Sequence, residues 1–150
     1  MKRTLIHRFD TYAREPVLRR LPDGSLMCLF LTGGPREPHN ENVTMICRSY
    51  DGGDTWTEPE VLFSHHSRAV WCTEVFAECD PPFIAVHTYN AESWYRELQT
   101  FISYSFDGGM TWQEPASFPW ASLIHFSQHS ILMIDVTYSF VQLYNFNIPQ

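Results

Sequence analysis

The chain has 150 residues, 44% of them hydrophobic and 15% aromatic, which is enough for the core of one ordinary domain. Its formal net charge of -7 argues against nucleic acid or an anionic membrane as the main partner. The sequence shows neither a signal peptide at its start nor about eighteen consecutive apolar residues, so we expect a cytoplasmic protein without a membrane span.

The chain reads as two similar rounds of short strands after a polar, basic lead-in at residues 1–13. The first round predicts strands at residues 16–20, 26–31, 43–48 and 55–63, with a long loop at 32–42. The second round predicts strands at residues 69–77, 83–87, 98–104 and 111–118, with a long loop at 88–97. Short strands at regular spacing without a helical period predict an all-β fold.

An eleven-residue stretch occurs twice, at residues 49–59 and 105–115, and the two copies lie 56 residues apart. Eight of the eleven positions are identical, and a ninth is aromatic in both copies, Tyr50 and Phe106. A repeat at this spacing indicates an array of one supersecondary unit.

The centre of each repeat is a hairpin turn of the type Asp-Gly-Gly, at Asp51 and at Asp107. An aspartate in such a turn accepts hydrogen bonds from backbone N–H groups, and glycine supplies the positive φ that a Cβ opposes. We therefore interpret both aspartates as turn-forming residues and not as catalytic ones.

The pattern Ser-x-Asp-x-Gly-x-Thr-Trp resembles the Asp-box, or bacterial neuraminidase repeat, of sialidase-like β-propellers. Its residues here are Ser49, Asp51, Gly53, Thr55 and Trp56 in the first box, and Ser105, Asp107, Gly109, Thr111 and Trp112 in the second. The resemblance implies the first two to two and a half blades of a six-bladed propeller, with residues 14–118 forming two blades.

Residues 119–150 depart from this pattern. No lysine or arginine follows Arg96, and residues 131–146 run apolar without a turn signal. The segment is either a partial third blade or a tail produced by a shifted reading frame.

Blade geometry sorts the loops between two faces, because alternate connections of an up-and-down sheet emerge on opposite sides. The two boxes share one face with the connections between strands one and two. The two long loops and Arg14 share the opposite face. In sialidases the ligand site lies on the face away from the boxes.

The family resemblance implies an exo-α-sialidase, a glycoside hydrolase that removes terminal sialic acid or a related acidic sugar. Residues 12–16 resemble the Arg-Ile-Pro motif that opens sialidase domains, with Glu15 in place of the isoleucine. The resemblance implies that Arg14 binds the substrate carboxylate, since a guanidinium makes bidentate bonds to carboxylates. Arg36 is a candidate for the family's second arginine. The third arginine and the family's Tyr–Glu nucleophile pair have no match here.

The general acid also departs from the family pattern, in which an aspartate of the first long loop supplies it. That loop contains no aspartate here, so Glu37 and Glu41 are the candidates. The alternative is that both are solvated loop carboxylates.

Three further residues are candidates for contact with substrate. Glu74 interrupts an apolar strand, which predicts either a wet channel or a structural ion pair. His87 and Arg96 belong to the second long loop region, and the alternative for His87 is a structural histidine.

We expect no metal and no cofactor. His65 and His66 lack a third ligand, and the four cysteines lack zinc spacing. We interpret Cys28, Cys47, Cys72 and Cys79 as reduced thiols in or near the core.

The resemblance implies sialylated or other acidic glycans as partners. A chain with so few matched catalytic residues is expected to be an inactive fragment on its own. The alternative is a non-catalytic Asp-box propeller that binds glycan or protein.

Overall fold

The computed structural model describes residues 4–93, 97–117, 124–126, 130–137 and 140–147, the last three ranges as backbone alone. The strands are β1 Ala13–Arg20, β2 Leu26–Gly33, β3 Asn42–Ser49, β4 Glu60–Phe63, β5 Ala69–Phe76, β6 Phe83–Tyr89, β7 Gln99–Tyr104, β8 Ala116–Ser117, β9 Ile124–Phe126, β10 Ser130–Thr137 and β11 Phe140–Asn147. A short 3-10 helix spans Ala91–Ser93.

The strands form three antiparallel sheets. Sheet 1 has the order β1-β2-β3-β4, sheet 2 the order β5-β6-β7-β8, and sheet 3 the order β11-β10-β9. Each strand of sheets 1 and 2 therefore pairs with its neighbour along the chain, and the all-β prediction is confirmed. In sheet 3, β10 and β11 pair from Ser130↔Asn147 to Thr137↔Phe140, in a stretch where the sequence shows no turn signal.

The last strand of each four-stranded sheet is shorter than predicted. The sequence predicts strands at 55–63 and 111–118, whereas β4 begins at Glu60 and β8 at Ala116. After each repeat turn one backbone-to-backbone bond reaches the preceding strand, from Thr57 N to Arg48 O at 2.8 Å and from Gln113 N to Tyr104 O at 2.9 Å. A proline follows in both copies, and it has no N–H with which to extend the ladder.

The main core lies between sheets 1 and 2. Sheet 1 contributes side chains such as Met27, Leu29 and Ile46, and sheet 2 contributes Val70 and Val86, all nearly inaccessible to solvent. Burying one such side chain stabilises a fold by about 1.5–3 kcal/mol. The two sheets therefore pack as one unit, with β5 against β1, β2 and β3.

The N-terminal segment covers the other face of sheet 1. Ile6 and Phe9 pack against a cluster of Cys28, Phe30 and Cys47, and the rings of Phe9 and Phe30 lie 5.0 Å apart. Because both faces of β2 are covered, its sequence is continuously apolar and not alternating. The lead-in thus has a packing role that its basic composition does not predict.

All four cysteines are free thiols: Cys28, Cys47 and Cys72 are buried, and Cys79 is partly buried. Burial raises the pKa of the Cys72 thiol to about 12. These positions agree with the prediction of core or near-core cysteines.

Both repeats form the predicted turns. Asp51 accepts bonds from the backbone N–H groups of Asp54 and Thr55 at 2.9 Å each, and its second oxygen accepts from Thr55 Oγ1 at 2.5 Å. Asp107 accepts from Thr111 N at 2.8 Å and from Thr111 Oγ1 at 2.6 Å. Ser105 completes the second turn by donating to Asp107 and accepting from Gly109 N.

We expect Asp51→Ala and Asp107→Ala each to lower the melting temperature by several degrees, because each leaves the N–H groups of its turn without an acceptor. Hydrogen bonds from Thr111 lower the pKa of Asp107 from 3.8 to about 2. Ionised Asp107 therefore stabilises the folded chain, and this stabilisation is complete above pH 3.8 and is lost as the pH falls toward 2. Thermal melts between pH 7 and pH 2 test this, since Asp107→Ala should flatten the acid part of the curve. An unchanged curve would contradict it.

Candidate functional site

The two long loops meet on one side of the molecule. A cavity of about 410 Å³ lies between them, lined by Arg36, Glu37, Pro38, His39, Asn40, Ala91 and Glu92. We call this cavity the loop pocket. One loop connects β2 to β3 and the other connects β6 to β7, so the pocket joins sheet 1 to sheet 2.

Asparagine side chains fasten the two loops together. Asn40 Oδ1 accepts from Ala91 N at 2.7 Å, and Asn40 Nδ2 donates to Asn90 Oδ1 at 3.3 Å. Asn42, which is fully buried, accepts from His39 N at 2.9 Å and donates to Arg36 O at 3.1 Å. The backbone that carries the pocket side chains is therefore held by hydrogen bonds from asparagine side chains.

Tyr89 adds a bond between the sheets, since its hydroxyl donates to Asn42 Oδ1 at 3.3 Å, and both residues are fully buried. Sequence reasoning missed these amides. The signal available was the concentration of asparagine at residues 40, 42 and 90, where polar loop residues satisfy backbone groups.

Next to the loop pocket, a tyrosine in the segment that enters β1 contacts both an arginine of the same segment and a carboxylate of the first long loop. The hydroxyl of Tyr12 donates to Glu37 Oε2 at 2.7 Å. The Arg14 guanidinium lies over the Tyr12 ring, 5.4 Å from its centroid. Partial burial and the bond to Glu37 raise the pKa of Tyr12 to about 12, so the phenol is protonated at neutral pH.

The backbone at the entry to β1 is irregular. Glu15 has φ of +54°, and the register with β2 shifts between Arg14 and Val17. A non-glycine residue in the left-handed region costs about 1–2 kcal/mol, and such strain often marks functional sites. Loss of water around its carboxyl and the charge of Glu37 raise the pKa of Glu15, while Arg14 lowers it.

The two candidates for the general acid differ in their position relative to the loop pocket. Glu37 lines the loop pocket and is bonded to Tyr12. Glu41 is exposed, lies 3.7 Å from His39 and is not among the residues that line the pocket. Arg36 lines the pocket, and Arg14 is exposed beside it. Arg14, Arg36 and Glu37 are therefore the sequence-predicted residues that the fold brings together.

Glu74 makes an ion pair. Its Oε1 accepts from Arg19 Nη2 at 2.5 Å, so the first strands of the two sheets, β1 and β5, are joined, and both side chains remain partly exposed. The same oxygen accepts from Val75 N at 2.8 Å, next to a register shift between Cys72 and Glu74. Of the two alternatives left by the sequence, the structure contains the ion pair.

β6 continues to Tyr89, two residues beyond the predicted end of the strand at His87, so His87 does not belong to the second long loop. It is 2% exposed and bonded to Thr73 Oγ1 at 2.8 Å and Thr100 Oγ1 at 3.1 Å. Burial lowers its pKa to about 4, so the imidazole is neutral at physiological pH. Its position is that of a satisfied structural histidine.

Arg96 lies outside the described residues. The end of the second long loop is held by Arg68, which donates from Nε to Thr88 Oγ1 at 3.1 Å and from Nη2 to Glu97 O. Among the residues that the structure describes, there is no cluster of metal-ligating side chains and no helix with the length and apolarity to cross a membrane.

The repeat turns lie on the other side of the sheets. A groove of about 670 Å³ is lined by the β1–β2 turn, the β5–β6 turn and the second repeat, including Pro22, Pro81 and Phe106. The two faces predicted from strand counting are thus present, with the loop pocket on one and this groove on the other.

Comparison of the sequence with models of protein families and with curated proteins gives no match. Among solved structures, the chain is similar to the Hadza microbial sialidase Hz136, with a TM-score of 0.57 and 18% sequence identity. The match covers 70% of this chain and 25% of the sialidase chain. The chain thus spans about a quarter of that protein, and the fold is sialidase-like.

Proposed function

We propose that this chain forms the carboxylate-binding part of a sialidase-type glycoside hydrolase that removes terminal sialic acid or a related acidic sugar from glycans. The observation that carries the proposal is the assembly of Arg14, Tyr12 and Glu37 beside the loop pocket, in a chain with a sialidase-like fold. In this proposal sheets 1 and 2 are consecutive propeller blades and the two repeats are Asp-boxes.

Each residue of the assembly has a role set by its chemistry. Arg14 binds the sugar carboxylate, since no described carboxylate forms an ion pair with its guanidinium. Arg36 contributes a second positive charge from the pocket wall. Glu37 is the better-placed of the two candidate acids, because it lines the loop pocket and Glu41 does not.

A binding function without hydrolysis is the second candidate, and the state of Tyr12 favours it. Tyr12 and Glu37 form a hydrogen-bonded Tyr–Glu pair that sequence reasoning missed, but a phenol with a pKa of about 12 is a poor nucleophile. Cleavage with retention needs a nucleophile and an acid on opposite sides of the bond. The described residues of the pocket then supply recognition alone.

The test of the proposal is binding of N-acetylneuraminic acid to the chain, followed by calorimetry or by NMR titration. We expect Arg14→Ala to weaken binding by about 1.5–3 kcal/mol, the contribution of a hydrogen bond to a charged group. Arg14→Lys should recover only part of this loss, because an ammonium group does not form a bidentate contact.

Arg20→Ala is the matched control, since Arg20 is an exposed arginine on the opposite face that bonds to Gly24 O at 2.7 Å. It should leave the affinity unchanged. Absence of binding by the unaltered chain, or equal affinity of Arg14→Ala, would contradict the proposal. Turnover of a fluorogenic sialoside that depends on Glu37 would decide for hydrolysis over binding alone.

A further inference from the structure

We propose that Tyr12 is a positioning residue that holds the arginine and the carboxylate of the site in a fixed relative arrangement. This inference rests on the proposed function and adds a residue to it. Tyr12 makes two separate contacts: its ring lies under the Arg14 guanidinium, and its hydroxyl donates to Glu37.

Tyr12 is itself anchored through its backbone. Its carbonyl accepts a bond from Thr32 Oγ1 at 2.7 Å, and Thr32 is 2% exposed within β2. The next residue, Ala13, pairs with Thr32 in the sheet register. The backbone of Tyr12 is therefore held against β2 of sheet 1.

The contacts of Tyr12 span two segments that are distant in sequence. Tyr12 immediately precedes β1, and the guanidinium of Arg14, the second residue of that strand, lies over its ring. Glu37 comes from the first long loop, whose backbone the buried Asn42 holds. Because the arginine stacks on the same tyrosine that hydrogen-bonds the carboxylate, the separation of the positive charge from the carboxyl is set by the fold before any ligand arrives.

Two variants separate the two contacts. Tyr12→Phe keeps the ring under Arg14 and removes the hydroxyl, whereas Tyr12→Leu removes both. By NMR, Tyr12→Phe should retain the ring-current shifts of the Arg14 side-chain protons and change the Glu37 side-chain signals. Tyr12→Leu should change both sets. Leu5→Ala, at an exposed position of the N-terminal segment, is the control and should change neither.

Binding of N-acetylneuraminic acid forms the second arm. We expect Tyr12→Phe to weaken it about threefold to tenfold and Tyr12→Leu to weaken it further, as the loss of first one contact and then both requires. Arg14 and Glu37 signals unchanged in Tyr12→Leu would overturn the inference, as would equal affinity of all three proteins. If the unaltered chain binds no sugar acid, the proposed function fails, while the NMR arm still decides whether Tyr12 holds the two side chains.

Discussion

Replacing Gly33 with alanine should destabilise the chain by about 2–4 kcal/mol, the sum of a left-handed alanine and an enforced overlap. Gly33 ends β2 with φ of +95°, at the point where the first long loop begins. A Cβ at this position would lie 2.5 Å from the backbone oxygen of Glu41 and 3.3 Å from Val43 Cγ2. Because the closest atom belongs to the backbone, the loop itself has to move. Chemical denaturation measures the effect.

Gly24→Ala is the matched control for this substitution. Gly24 has φ of +87°, and nothing lies within 4 Å of a Cβ added there. It should therefore show the conformational cost alone, about 1–2 kcal/mol. The difference between the two variants isolates the overlap with the loop. Equal destabilisation by both variants would mean that the loop moves away from the added Cβ at no cost in free energy.

Gly33→Ala should also change the geometry of the candidate site. The loop that Gly33 begins carries Arg36 and Glu37 into the pocket. A shifted loop would disturb the bond between Tyr12 and Glu37, so Gly33→Ala should weaken sugar-acid binding while Gly24→Ala leaves it unchanged.

The parts of the fold that were predicted are those encoded locally. The two repeat turns follow from Asp51 and Asp107 with their glycines, because every acceptor and donor lies within four residues. Alternation of connections then predicts which loops share a face, and the loop pocket and the groove on the opposite side agree with it. Strand ends were less predictable, since a single proline after the turn shortens β4 and β8.

The contacts that build the site could not be read from the sequence, because they join residues far apart in the chain. Tyr12 and Glu37 are 25 positions apart, and Asn42 and Tyr89 are 47 apart. Arg19 and Glu74 are separated by 55 positions, and only the packing of β1 on β5 brings them together. A carboxylate within an apolar strand indicates that it has a partner, but the sequence does not identify which residue that partner is.

One buried charge joins the two sheets on the face of the repeats. Arg48, 7% exposed, precedes the first repeat, and its Nη2 donates to Gly109 O at 2.6 Å and to Met110 O at 2.9 Å in the second repeat. In the first repeat the corresponding carbonyl, Gly53 O, accepts from Trp56 Nε1 at 3.3 Å.

The second repeat lacks that tryptophan bond. Trp112 Nε1 is buried without a hydrogen-bond partner among the described residues, and so is Arg48 Nη1. The carbonyl that accepts from a tryptophan within the first turn accepts from Arg48 in the second, and there the contact joins the two sheets. Two buried donors of the described residues are thus unsatisfied at this junction. The bonds between the sheets must therefore stabilise the fold by more than these two donors cost.

Arg48→Ala should therefore destabilise the chain by about 2–4 kcal/mol, through the loss of two charged hydrogen bonds and the space left in a packed junction. Arg48→Met, which retains most of the aliphatic volume, should fall between the alanine variant and the unaltered chain. Arg20→Ala is the control, because Arg20 is exposed on the same face, and its effect should stay within about 0.5 kcal/mol. Urea denaturation of the four proteins gives the order. A methionine variant more stable than the unaltered chain would show that desolvation of the guanidinium outweighs its bonds, as it does for some buried ion pairs.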